Sequence, residues 1–137
     1  MDSWPSEESM MKLAMEKGLD LVCVFESEDA VKNMNPNQEL LQQIEGKIQN
    51  ATAHGKETDC VSRSFCPKLS IPEDPVCGSA HCQITAYWSQ ILHKKEIYAY
   101  QASKRGGYLH CTLQDNKRIT ISGEAALVAV SKIVAPL

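Results

Sequence analysis

Residues 73–82 read Glu-Asp-Pro-Val-Cys-Gly-Ser-Ala-His-Cys, a turn set directly against an apolar helix. Pro75 fixes the backbone, and Cys77 and Gly78 stand where a helix would start. From Ser79 the chain runs through Ala80, Ile84, Ala86, Tyr87 and Trp88 with no breaker. The spacing predicts a helix over residues 78–92. A helix start built of small residues lets backbone N–H groups approach an anion closely. The macrodipole favours a carboxylate or phosphate at that end. Glu73 and Asp74 put carboxyl groups beside it, and a carboxyl group so placed can move a proton.

Around this helix the pattern alternates between strands and turns. Leu19 to Phe25 is apolar on both faces and reads as a buried strand. Ser27 caps a short helix with Glu28 and Asp29 in its first turn, which Asn35-Pro36-Asn37 ends. A second helix is expected from Gln38 to Ile44, stopped by Gly46, and a weakly patterned strand over 47–54. Cys60 to Cys66 reads as a strand, and Pro67, Pro72 and Pro75 hold 67–77 as an ordered loop. Strands follow over 96–102, 107–114, 118–122 and 125–134, with hairpin turns at Arg105-Gly106-Gly107 and Gln114-Asp115-Asn116-Lys117. Ser6 to Met15 fits a short amphipathic helix ending at Gly18. One long helix among many strands, without regular βαβ alternation, points to the α+β class.

At 137 residues the chain makes one domain. Its net charge is −3 and no basic cluster exceeds Lys94-Lys95 or Lys104-Arg105, which argues against nucleic acid as a partner. No apolar run approaches the roughly 20 residues of a membrane span, so no membrane is expected as a partner. The six cysteines (Cys23, Cys60, Cys66, Cys77, Cys82 and Cys111) include no CxxC pair. They read as reduced, mostly buried thiols of a cytoplasmic protein. Cys77, His81 and Cys82 make a poor zinc site, because Cys82 turns off the shared helix face and no second ligand pair exists. No metal and no cofactor is expected.

Five separated motifs then occur in order: Ser62-Arg63-x-Phe65-x-Pro67, Ile71 to Cys82, Tyr87-Trp88, Gln101-x-Ser103-x-Arg105-Gly106-Gly107 and Ile121-Ser122-Gly123. Over residues 19–134 the chain resembles the C-terminal half of the phenazine biosynthesis PhzF-like family; residues 1–18 do not match it clearly. The resemblance implies a fold similar to diaminopimelate epimerase, in which two like halves each wrap a curved, mostly antiparallel sheet around one central helix. The active site of that fold is the cleft between the halves. The best-known member isomerises trans-2,3-dihydro-3-hydroxyanthranilate by cofactor-free proton transfer.

Residue by residue, the resemblance assigns Asp74 to the family's active-site aspartate. Gly78 and Ser79 match the helix start that holds the substrate carboxylate. The family's principal acid/base glutamate and its Gly-His histidine belong to the other half and have no counterpart here; His81 is not that histidine, but one turn into the same helix it is a further candidate for substrate binding. Related racemases carry a catalytic Cys where Cys77 stands, and a thiolate there would be stabilised by the dipole. Each position also has a plain structural reading. Asp74 can cap the turn or pair with Arg63, Gly78 and Ser79 can simply begin the helix, His81 can be a satisfied helix histidine, and Cys77 an inert small residue. The expected activity is an isomerase or epimerase acting on a small carboxylate-bearing metabolite, incomplete for catalysis alone. The alternatives are a non-catalytic, partner-binding half-domain and a racemase with Cys77 as base. The expected partner is a second copy or a complementary N-terminal half.

Overall fold

The computed structural model describes residues 11–13 and 20–134. The elements run β1 (Met11–Leu13), β2 (Leu21–Val24), α1 (Glu28–Asn33), α2 (Gln38–Leu41), β3 (Gln49–His54), β4 (Cys60–Cys66), β5 (Ile71–Asp74), α3 (Gly78–Ile91), β6 (Glu96–Gln101), β7 (Gly107–Leu113) and β8 (Ile119–Ser122). The strands form one open sheet in the order β1-β2-β3-β4-β6-β7-β8, with β5 also paired to β4. All pairings are antiparallel except β2–β3 and β4–β6.

Those two parallel pairs explain where the helices lie. A parallel pair needs a crossover, and here the crossovers carry α1 and α2 in one case and α3 in the other. Both step in the same direction across the sheet, but β4 runs antiparallel to β3. Two crossovers of the same hand therefore place their helices on opposite faces. Strand alternation agrees. Val61 and Phe65 of β4 pack with Val31, Met34 and Leu41, while Cys60 and Cys66 pack with Ala80, Ile84 and Trp88. The mixed α and β class and the mostly antiparallel pairing hold. The expected sheet wrapped around one central helix is corrected, because an open sheet with apolar side chains on both faces must be covered on both.

The helix expected over 78–92 spans Gly78–Ile91 and buries Ala80, His81, Ile84, Thr85, Trp88 and Ser89, a stripe of helical period. Ser27 Oγ accepts the Ala30 N–H and caps α1 as expected. Three expectations change. Residues 71–74, expected as loop, form a strand: β6 covers only Cys60–Ser62 on its edge of β4, and Ile71–Asp74 pairs with the rest of that edge. Met11–Leu13 is a strand on β2 rather than helix; the rest of the expected N-terminal helix lies outside the described residues. Residues 125–134 form no strand: β8 is paired only with β7, and among the described residues no edge faces this segment. Leu127, Val128, Val130, Ile133 and Val134 are consequently 80–92% exposed. Among the described residues no helix is long and apolar enough to cross a membrane.

Candidate functional site

β4 changes partner along one edge. Gln101, the last residue of β6, faces Ser62, and Asp74, the last residue of β5, faces Ser64. The loop from Asp74 to α3 leaves the sheet at this fork. Its geometry is fixed by Gln101, which is completely buried. Gln101 Nε2 donates to the Asp74 carbonyl at 2.6 Å, and its Oε1 accepts the Cys77 N–H at 2.7 Å. Ser103 adds a second tether, with Oγ donating to the Pro75 carbonyl at 2.6 Å and accepting the Gly106 N–H. Both residues lie in a motif singled out above, but no property of the sequence shows that they clamp this loop.

Asp74 is half-buried, and its Oδ1 accepts the Val76 N–H at 3.0 Å, closing an Asx turn. The other carboxylate oxygen has no described partner. Arg63 pairs with Glu73 rather than Asp74, through Nε to Oε1 at 2.8 Å and Nη2 to Oε2 at 2.9 Å. Its Nη1 also donates to the Met34 carbonyl, so one guanidinium ties β5 to the end of α1. Asp74 is thereby held on a rigid loop without a cation bound to it.

Gly78 and Ser79 are exposed at the first turn of α3. No described hydrogen bond ends on the amides of Gly78, Ser79 or Ala80. Cys77 caps the helix with its backbone only, so these donors stay available. A Cβ built on Gly78 would meet nothing within 4 Å, so the approach to the helix start is open at Gly78, with Ala80 buried one step behind it. Beside Gly78 lies an open depression of about 630 Å³, lined by Val76, Arg105, Gly107, Tyr108 and the chain after Ile121. Arg105 brings a cation to its rim. Gly107 lets the loop pack closely, since a Cβ there would sit 2.5 Å from Val76 Cγ2.

Cys77 and His81 lie behind the helix start. Cys77 is 4% exposed, with Sγ 3.4 Å from Ser79 Oγ. His81 is completely buried, with Nδ1 2.7 Å from the Cys77 carbonyl and Nε2 3.3 Å from Ser62 Oγ. A neutral ring satisfies both contacts, Nδ1–H donating and Nε2 accepting the hydroxyl. Burial lowers the His81 pKa below its ordinary 6.5, outweighing the carbonyl bond that raises it. Below about pH 6.5 the unfolded chain takes up a proton that the folded chain resists, so stability is expected to fall as pH drops through that value. Urea midpoints from about pH 7.5 to about pH 5.5 check this, and His81→Gln should flatten the slope.

Two polar residues that the sequence reading passed over lie beside Asp74 on the sheet. Asn50 and Ser64 face each other across β3 and β4, in the same row as Asp74 and on the face that carries α3. Both are buried, and neither Asn50 Nδ2 or Oδ1 nor Ser64 Oγ has a partner. Unpaired buried amides are costly, so such a group invites a ligand or a covering surface. Asn50 shows in the sequence only as a polar interruption of the 47–54 strand pattern, and Ser64 only as a small polar residue within the 60–66 strand. Three buried thiols, Cys60, Cys66 and Cys111, are poor nucleophiles. Burial and the nearby Asp74 push Cys66 up to about 11, and burial raises Cys60 and Cys111 as well. Among the described residues no group of three His, Cys, Asp or Glu is placed to hold a metal ion.

The phenazine biosynthesis-like protein family model, PhzC-PhzF, matches residues 5–131, starting ahead of residue 19. An uncharacterized isomerase of Halalkalibacterium halodurans is 43% identical over 117 residues, which is 84% of this chain and 44% of that protein. The human phenazine biosynthesis-like domain-containing protein is 40% identical over 115 residues, 77% of this chain and 40% of that one. The chain thus spans less than half the length of these relatives. The crystal structure of a phenazine biosynthesis PhzC/PhzF protein from Clostridium difficile superposes with a TM-score of 0.80 at 34% identity, over 92% of this chain and 54% of that one. A PhzF family protein from Enterococcus faecalis gives 0.71 at 40% identity, over 80% and 45%.

Proposed function

The chain belongs to the phenazine biosynthesis-like protein family, and from that premise we propose that it forms one wall of a cofactor-independent isomerase or epimerase site. The substrate is a small carboxylate-bearing metabolite. Its carboxylate is held by the amides of Gly78, Ser79 and Ala80, where the helix dipole favours negative charge. Asp74, fixed through its backbone by Gln101, moves a proton at the neighbouring carbon. The other wall, with the principal acid/base, comes from a complementary half across a shared cleft. The chain alone acts as a binding half-domain. Cys77 has no proton-transfer role in this reading, because the residue is buried, with its thiol 3.4 Å from Ser79 Oγ. The reduced thiols of Cys60, Cys66, Cys77, Cys82 and Cys111 fit a reducing cytoplasm.

The observation that carries this reading is the set of partnerless amides at an open helix start beside a rigidly held carboxylate. Titration of the ¹⁵N-labelled chain with benzoate tests it. The Gly78, Ser79 and Ala80 resonances are expected to shift saturably, whereas the neutral analogue benzamide leaves them in place. Absent shifts, or equal shifts with both compounds, would overturn the carboxylate site.

A further inference from the structure

We propose that residues 123–134 of two copies of this chain pair antiparallel with each other about Val128, joining two sheets edge to edge. The segment follows directly after β8 in the chain, and its apolar side chains lie open to solvent, Val128 at 92% and Val130 at 87%. Long exposed apolar stretches of this kind mark association surfaces.

The segment selects its own copy through charge. Glu124 and Lys132 are the only charged residues in 123–134, and both stand four positions from Val128. In an antiparallel pair centred on Val128, Glu124 of each copy faces Lys132 of the other. Ala126 then faces Val130, and Val128 meets its own counterpart on the two-fold axis. A slip of two residues either way sets Glu124 opposite Val130 or Val134, so the charges fix the register. A lone two-stranded ribbon would be marginal in water. In this register Val134 of the second copy falls opposite Ser122, on the free edge of β8, so each sheet extends the ribbon. The same pairing protects an edge that otherwise templates aggregation. A two-fold contact of this type closes on itself and stops at the dimer.

Light scattering, charge reversal and cross-linking test the proposal on the full chain, with Cys82→Ser removing the exposed thiol. A dimer mass is expected. Glu124→Lys or Lys132→Glu alone sets like charges opposite twice per dimer and is expected to weaken dimerisation roughly tenfold. The two reversals together should restore it. Val128→Cys should form an intermolecular disulfide under mild oxidation. A monomer overturns the proposal. So does a dimer that ignores both single reversals or gives no Val128→Cys cross-link, since it would use another surface.

Discussion

Trp88→Ala is expected to lower the stability of the fold by about 3–5 kcal/mol, measured as a shift of the urea midpoint at constant slope. Trp88 is 4% exposed and lies between α3 and β3. Its Nε1–H donates to Thr52 Oγ1 at 2.9 Å, and the Thr52 hydroxyl donates onward to the Val61 carbonyl at 2.8 Å. The indole also meets His54 and Tyr87 edge-on, with centroids 5.9 and 5.2 Å away. Alanine empties a cavity under the helix and leaves a completely buried hydroxyl one partner short. Trp88→Phe separates the two effects. It keeps most of the ring and loses the N–H, at an expected cost of about 1–2 kcal/mol. Domains of this size are stable by only about 5–15 kcal/mol, so the alanine variant should be marginal. A loss under about 1 kcal/mol would mean that the cluster closes over the gap.

The sequence makes Trp88 legible as core because helical periodicity is a local property. Ala80, His81, Ile84, Thr85 and Trp88 fall on one face whatever the helix packs against. The Ser27 cap and the hairpins around β7 are legible for the same reason, since each is decided within a few residues. The placement of the helices on two faces is not local. It follows from β4 running antiparallel to β3, which no window of sequence contains. Strand β5 is hidden for a related reason. Pro72 and Pro75 argue for loop, and only the bare stretch of the β4 edge makes Ile71–Asp74 a strand. Residues 125–134 show the converse: strand composition there is plain, but a strand is a property of a pair, and the segment has no partner edge within the described residues.

The site divides along the same line. Asp74, Gly78 and Ser79 come from one decapeptide, and a turn feeding a helix keeps them together. Gln101 reaches them from β6, and Asn50 from β3. Gln101 looks like an ordinary polar residue at a strand end until β6 is laid beside β4. Its two bonds to the loop then become the reason that the Asp74 backbone cannot drift. Asn50 reads as a flaw in an apolar pattern, and only the row Asn50–Ser64–Asp74 across the sheet places it at the site.

The proton-transfer role proposed for Asp74 has the largest expected consequence for activity. The measurement pairs this chain with an N-terminal half that carries the family's glutamate and follows isomerisation together with deuterium uptake at carbon. The chain alone is expected to stay near the uncatalysed rate. In the pair, Asp74→Asn should lower turnover by about 10²–10⁴-fold, which corresponds to about 2.7–5.5 kcal/mol of barrier. The change is chosen for what it spares. Asparagine keeps a side-chain oxygen that accepts the Val76 N–H, so the Asx turn survives. The Gln101 bonds run to the Asp74 carbonyl and the Cys77 N–H, so they are unaffected. The partnerless amides of residues 78–80 also remain, and benzoate should shift them as before. What is lost is a group that can take and return a proton. Gln101→Leu makes the contrast, because it releases the loop at both ends and should weaken carboxylate binding and turnover together. An Asp74→Asn pair that stays within tenfold of the unchanged one would reduce Asp74 to a turn cap and leave the proton transfer entirely to the other half.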